Sequence, residues 1–158
     1  MSLLPKRLSW NFKFLSSFAQ AILSKKMAKV NLIVTSTCNS RCQSCHIWRV
    51  PRVEMEKDLT VDEYTAFFEK SPKSVCWLSV SGGEPFLRRD LAEILRRALR
   101  ELPRLSLISI TTNGLNSELP FELCSQLLNE FPRLRLHINL SLDGDEETHD
   151  ALRGVRNN

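Results

Sequence analysis

Four short apolar runs recur along this chain: Val30 to Thr35 (VNLIVT), Val75 to Val80 (VCWLSV), Leu105 to Thr112 (LSLISITT) and Leu134 to Ser141 (LRLHINLS). Continuous runs of this length suit strands buried on both faces of a sheet. Helical stretches separate them. Thr60, with Glu63 three residues on, forms a capping box that opens a helix reaching about Lys70, before Ser71-Pro72. Asp90 with Glu93 is expected to cap a second helix running to about Glu101, and a third starts near Pro120, a residue that fits a first helical turn. Strands alternating with helices imply right-handed crossovers and a parallel sheet, either doubly wound or curling toward a barrel. Both architectures place their sites on the loops at the carboxyl edge of the strands. Here the cysteines, Ser81-Gly82-Gly83-Glu84-Pro85, Asn113-Gly114 and Asp143-Gly144 all follow strand ends.

The first of those loops carries Cys38, Cys42 and Cys45, three of the chain's five cysteines within eight residues. An odd number crowded in this way is poorly suited to disulfides and well suited to metal, which points to a reducing cytoplasm. Soft thiolates select iron or zinc. A structural zinc site takes four ligands, and His46 beside Cys45 is the nearest fourth, whereas three thiolates on an iron–sulfur cubane leave one iron open. Cys76 and Cys124 fall inside strand and helix patterns and read as small core hydrophobes. His137 reads as a structural histidine of the fourth strand, and Arg88, Arg89, Arg96, Arg97 and Arg100 as a solvated helix face.

Charge divides the chain unevenly. Nine basic residues precede the first acidic one, Glu54, so the remaining thirteen stand against all eighteen carboxylates. This asymmetry suits a solvated basic face, an anionic cofactor or an anionic membrane surface. Within the opening stretch Trp10, Phe14, Phe18 and Ile22 lie four apart with Leu15 alongside, the stripe of an amphipathic helix too interrupted to span a bilayer. Residues 1–28 are therefore expected to form a basic amphipathic helix, packed on the core or touching a membrane surface weakly, and residues 29–158 the core domain. No nucleic-acid partner is expected.

Thr37-Cys38-Asn39 leading the cysteine triplet, Gly82-Gly83-Glu84-Pro85 after the second strand, Thr111-Thr112-Asn113-Gly114 after the third and Ser141-Leu142-Asp143-Gly144 after the fourth together resemble the radical S-adenosylmethionine (SAM) superfamily. The likeness covers residues 30 to 156, and its order fits the branch that includes the molybdenum-cofactor cyclase, the pyrroloquinoline-quinone maturase and peptide-modifying enzymes with extra C-terminal clusters. Ser44 departs from the pattern, since that position is often aromatic; Ile47 and Trp48 are its substitutes for adenine contact.

The resemblance implies a partial (βα) barrel of the radical SAM type, with about four of six βα units present. It implies a [4Fe-4S] cluster on Cys38, Cys42 and Cys45, and SAM bound at the open iron. Reductive cleavage would give a 5′-deoxyadenosyl radical that takes hydrogen from an unknown substrate. Gly82 and Gly83 would let the backbone approach the cofactor, Glu84 would hold its amino group, and Thr112, Asn113, Ser141 and Arg153 would meet its ribose or carboxylate. A one-electron donor of flavodoxin or ferredoxin type is the implied partner. Rival readings are a non-catalytic iron–sulfur or zinc module, and a truncated remnant without catalysis. The chain is also expected to be incomplete, leaving its fourth strand as an exposed edge and stopping at Arg156-Asn157-Asn158 a few residues into the next helix.

Overall fold

The computed structural model describes residues 4–50, 58–116 and 118–156, with side chains from residue 11 onward; Trp10 of the expected stripe, together with Lys6, Arg7, Arg52 and Glu54, lies outside the described side chains. The long helix α1 (Leu4–Leu23) comes first. Then follow β1 (Lys29–Ile33), α2 (Val61–Lys70), β2 (Trp77–Ser81), α3 (Leu91–Glu101), β3 (Leu107–Thr112), α4 (Glu118–Glu130), β4 (Arg135–Leu140) and α5 (Glu146–Arg153). The four strands form one sheet in the order β1-β2-β3-β4, every neighbouring pair parallel.

That order settles what the sequence left open. A doubly wound sheet needs a reversal of strand order to put helices on both faces, whereas strands laid down in sequence by right-handed crossovers keep all their helices on one face. The helix-side residues Val30, Leu32, Leu78, Val80, Ile108 and Ile110 are buried against Tyr64 and Phe68 of α2 and Ile94, Leu95 and Ala98 of α3. The architecture is a partial (βα) barrel. On the opposite, inner face the register row Asn31, Ser79, Ser109 and His137 is polar. His137 is exposed instead of satisfied in a core, because β4 is an edge strand and its residues 137–140 are covered on neither side.

Local chemistry fixes the element ends. The capping box of α2 forms as expected, with the Thr60 hydroxyl accepting from the Glu63 amide and the Glu63 carboxylate accepting from the Thr60 amide. α4 begins before Pro120, because the Asn116 side chain accepts the amides of Glu118 and Leu119. α5 is a short helix closed at both ends, Asp145 accepting from the Thr148 amide and Gly154 taking the left-handed conformation. The next helix expected at Arg156 is therefore already finished at Arg153.

Two expectations fail at α1 and α3. Phe14 and Phe18 pack inward with Ala21, Ala28 and Cys76, but Leu15 and Ile22 face out. Each residue turns a helix by about 100°, so seven residues from Phe14 return to its face at Ala21, whereas eight overshoot by about 80° at Ile22. At α3, Asp90 stands at the N-cap without making a capping hydrogen bond. Its carboxylate instead receives Arg88 Nε at 2.7 Å and Nη2 at 3.1 Å.

Arg88 is not part of a solvated face: its side chain is 9% exposed. It donates to the carbonyls of Val34 and Leu59 and lies over the Tyr64 ring, joining the end of β1 and the start of α2 to α3. This hydrogen bond and charge hold the Asp90 carboxyl below the usual carboxylate range. Arg88→Met is expected to cost about 2 to 3 kcal/mol in urea denaturation at neutral pH, since charged hydrogen bonds to partly buried partners are lost. Because the Asp90 pKa is depressed in the fold, that pair's stabilisation is present above the unfolded carboxylate pKa, about 3.9, and is lost as pH falls through the folded value. The gap between wild type and variant should narrow on acidification.

Candidate functional site

β1 does not stop pairing where its strand geometry ends. Val34 N–H donates to Ser81 O at 2.9 Å, Gly83 N–H to Thr35 O at 2.8 Å and Glu84 N–H to Thr37 O at 2.8 Å, so the loops after β1 and β2 run on side by side. Glycine is required at that seam. Gly82 has φ +141°, and a Cβ on Gly82 or Gly83 would collide with the carbonyl oxygens of Thr35 and Thr37 respectively. Cys38 follows Thr37 directly, so the close approach of the two backbones sets where the first thiol stands.

The rest of the cysteine loop is tied to the far end of the chain. Arg41 N–H donates to Arg153 O and Gln43 N–H to Leu152 O, both at 2.9 Å, while Gln43 Nε2 reaches Ala151 O at 3.0 Å. These bonds use the free carbonyls at the C-terminus of α5. Gly154 again allows a close approach, since a Cβ there would stand 2.6 Å from Arg41 O. Inside the loop, Trp48 Nε1 donates to Cys42 O at 3.1 Å.

Cys38, Cys42 and Cys45 line one cavity of about 150 Å³, together with Ser40, Ile47, Ser81, Gly82, Gly83, Thr111, Thr112, Asn113, Ser141 and Arg153. A larger groove of about 420 Å³ between the Phe86–Ala92 segment and α4 lies on the helix side and carries none of these groups. Among the described residues no three histidine, cysteine, aspartate or glutamate side chains converge on a single-ion site. The three thiols instead border a shared space. Burial pushes the Cys38 thiol above its ordinary range; a backbone hydrogen bond at Ser40 opposes this, and Cys42, Glu84 and Cys45 add to it. Arg153 approaches Cys42, with Nη1 3.8 Å from Sγ, and pairs with Asp143 at 2.6 Å, an ion pair by distance without the alignment of a hydrogen bond. Asp143 is itself positioned by His149, whose Nδ1 accepts its backbone N–H at 3.1 Å.

Glu84 is buried, 3% exposed, and does not line the cavity. One carboxylate oxygen accepts from Thr112 Oγ1 at 2.9 Å and Phe86 N–H at 3.2 Å, and the other from Asn113 N–H at 2.8 Å. Its carboxylate therefore braces the β2 loop against the β3 loop. Asn113 continues the brace, its Nδ2 donating to Asn39 Oδ1 at 2.7 Å and Ser40 Oγ at 2.8 Å. Its Oδ1 meanwhile accepts the Leu115 amide, so the ordinary turn and the tie to the cysteine loop are made by the same side chain. Ser141 faces the cavity with a hydroxyl that none of these protein hydrogen bonds uses. Asn39 stands in the motif that leads the triplet, but nothing in the sequence marks Ser40 and Gln43, because polar residues between cysteines look like ordinary loop.

A one-sided parallel (βα) sheet whose carboxyl edge gathers three thiols, a double-glycine seam and short polar side chains around one cavity defines an α/β domain of the partial-barrel class. The profile of the Radical SAM superfamily matches residues 32–158. The chain is 36% identical over 88 residues to the GTP 3′,8-cyclase of Lactiplantibacillus plantarum, covering 54% of this chain and 26% of that protein. It is 34% identical over 120 residues to molybdenum cofactor biosynthesis protein 1 of Drosophila melanogaster, covering 72% and 19%, and 32% identical over 131 residues to that of Bos taurus, covering 81% and 19%. The chain belongs to the radical SAM superfamily, and it spans about a quarter or less of the length of these relatives. No helix among the described residues is long and apolar enough to cross a membrane.

Proposed function

We propose that this chain forms the cofactor-binding part of a radical SAM enzyme, with Cys38, Cys42 and Cys45 as ligands of a [4Fe-4S] cluster and SAM beside it. One observation carries the reading: the three thiols and the double-glycine seam border the same cavity at the carboxyl edge of the sheet. Ligands of a cubane bind separate irons, so they border a larger space than the ligands of one ion do. Held by these residues and reduced by a one-electron donor, the cluster and SAM would supply radical chemistry for hydrogen abstraction from a substrate.

The chain's own share is positional. Gly82 and Gly83 open the seam on which the cofactor's polar end can lie, and the Ser141 hydroxyl offers it a hydrogen bond. Arg153 places a cation beside Cys42, which favours an anionic group there. Thr112 and Asn113 act through Glu84 and the cysteine loop, holding both at fixed distance from the seam. In the polar inner row Asn31, Ser79 and His137 suit a substrate rich in hydrogen-bonding groups, while Ser109 is buried with its hydroxyl accepting from Trp77 Nε1. A one-electron donor of flavodoxin or ferredoxin type completes the set of partners.

Anaerobic reconstitution should yield about four irons per chain. Addition of SAM should alter the cluster's electron paramagnetic resonance signal, and alanine at Cys38, Cys42 or Cys45 should abolish both results. Tight zinc without iron, or a full cluster in any of the three variants, would sink the assignment.

A further inference from the structure

At the end of the strands opposite the cysteine cavity, α1 turns into β1. The inner side of α1 is taken by Phe14, Phe18 and Ala21, and Phe18 reaches Trp77 at the start of β2. A second apolar stripe faces out: Phe12 is 76% exposed, Leu15 61%, Ile22 55% and Leu23 83%. At about 100° per residue these four fall within an arc of roughly 100°, adjoining the buried stripe. Met27, four residues beyond the helix, is exposed as well.

Cations border this surface. α1 ends in a Schellman turn, Lys26 N–H donating to Ala21 O and Lys25 N–H to Ile22 O, with Lys25 at φ 52°. Lys26 then lines an open cavity of about 430 Å³ with Pro72, Lys73, Ser74 and Arg104. Lys73 Nζ is held by the carbonyls of Phe68, Glu69 and Glu101, and Arg104 Nη1 by the Gln20 side-chain oxygen. All of these acceptors are neutral and no carboxylate lines the cavity, so Lys26, Lys73 and Arg104 give it a positive lining, with the Lys73 ammonium already donating to three carbonyls at the ends of α2 and α3.

We propose that this end of the molecule docks on an anionic phospholipid surface. Phe12, Leu15, Ile22, Leu23 and Met27 enter the boundary of the acyl chains, and the Lys26–Lys73–Arg104 cavity receives a phosphate-bearing headgroup. A free anion would use the cavity alone and leave the apolar stripe unexplained. A second copy meeting this face across a two-fold axis would set its basic cluster close to an identical one. An anionic lipid meets both requirements, since interfacial helices combine apolar burial with attraction to negative headgroups. Because the docking end and the cysteine cavity lie at opposite ends of the strands, a docked molecule keeps the cavity open.

The 158-residue chain, without reconstituted cofactor, is cosedimented with vesicles of phosphatidylcholine alone and of phosphatidylcholine mixed with phosphatidylglycerol. Binding should favour the anionic vesicles strongly and weaken with salt. Lys25→Glu with Lys26→Glu should lower the partition coefficient more than about tenfold. Ile22→Ser with Leu23→Ser, both at exposed positions, should lower it comparably while circular dichroism stays unchanged. Equal binding to the two vesicle types overturns the proposal, as does no binding to either. Displacement by millimolar inorganic phosphate with no effect of the serine pair would assign the cavity to a free anion instead. Dimerisation that the serine pair abolishes, without vesicle binding, would assign the face to a second copy. None of these outcomes depends on the cysteine chemistry.

Discussion

Glu84→Ala is expected to destabilise the domain by about 3 kcal/mol or more, measured by urea denaturation. The carboxylate accepts hydrogen bonds from the Thr112 hydroxyl, the Phe86 amide and the Asn113 amide. Each donor left unpaired in a buried site costs about 1–3 kcal/mol, and water entering the space left by the side chain offsets part of the total. Glu84→Gln keeps the volume and one acceptor oxygen but turns an NH₂ toward one of the donors, so it should fall between wild type and alanine. A direct contact to the SAM amino group makes a different forecast: weakened SAM affinity at unchanged stability. Measuring SAM binding and unfolding on the same two variants separates brace from ligand. Unchanged stability in both would remove the brace.

The difference between those two readings of Glu84 shows what the sequence made legible. The strands, the capping box of α2 and the cysteine triplet depend on near neighbours, and all could be read from short stretches of residues. What Glu84 touches depends on Thr112 and Asn113, nearly thirty residues away. Arg88, read from the sequence as part of a solvated face, is buried by contacts that are equally distant in sequence. Two of its acceptors are the backbone carbonyls of Val34 and Leu59, and a carbonyl belongs to every residue type, so nothing in the sequence marks them.

Strand order was equally hidden. Alternating strands and helices fix parallel pairing, but only the sequential order β1-β2-β3-β4 distinguishes a one-sided barrel segment from a doubly wound sheet. The bonds between the cysteine loop and α5 join residues more than a hundred positions apart, as in the 108-residue separation of Gln43 and Ala151. On α1 the error was one of phase: a four-residue spacing drifts round the helix, and over two steps it carried Ile22 out of the buried stripe.

Gly83→Ala should have the sharpest effect of any single methyl group in the chain. Its Cβ would overlap the Thr37 carbonyl and stand 3.1 Å from Cys38 Cβ. Neither backbone can yield easily, because Gly83 N–H is bonded to Thr35 O and Glu84 N–H to Thr37 O on the same two segments. Relief must come from separating the loops, which breaks the seam, moves Cys38 from its place beside Cys42 and Cys45, and pulls Glu84 from its donors. Overpacking of this kind usually costs 1–3 kcal/mol, and collision with backbone instead of a flexible side chain puts the expected loss at about 3 kcal/mol or above. The consequence for the site should exceed that for the fold. Iron content after anaerobic reconstitution should fall severalfold, even at a temperature where circular dichroism shows the variant folded. A control at Gly144, where the three atoms nearest a Cβ all belong to the Thr148 side chain at 3.1–3.8 Å, should lose stability through its φ of +137° but retain its iron. Should Gly83→Ala load as much iron as wild type while folded, the seam would not be what positions the first cysteine.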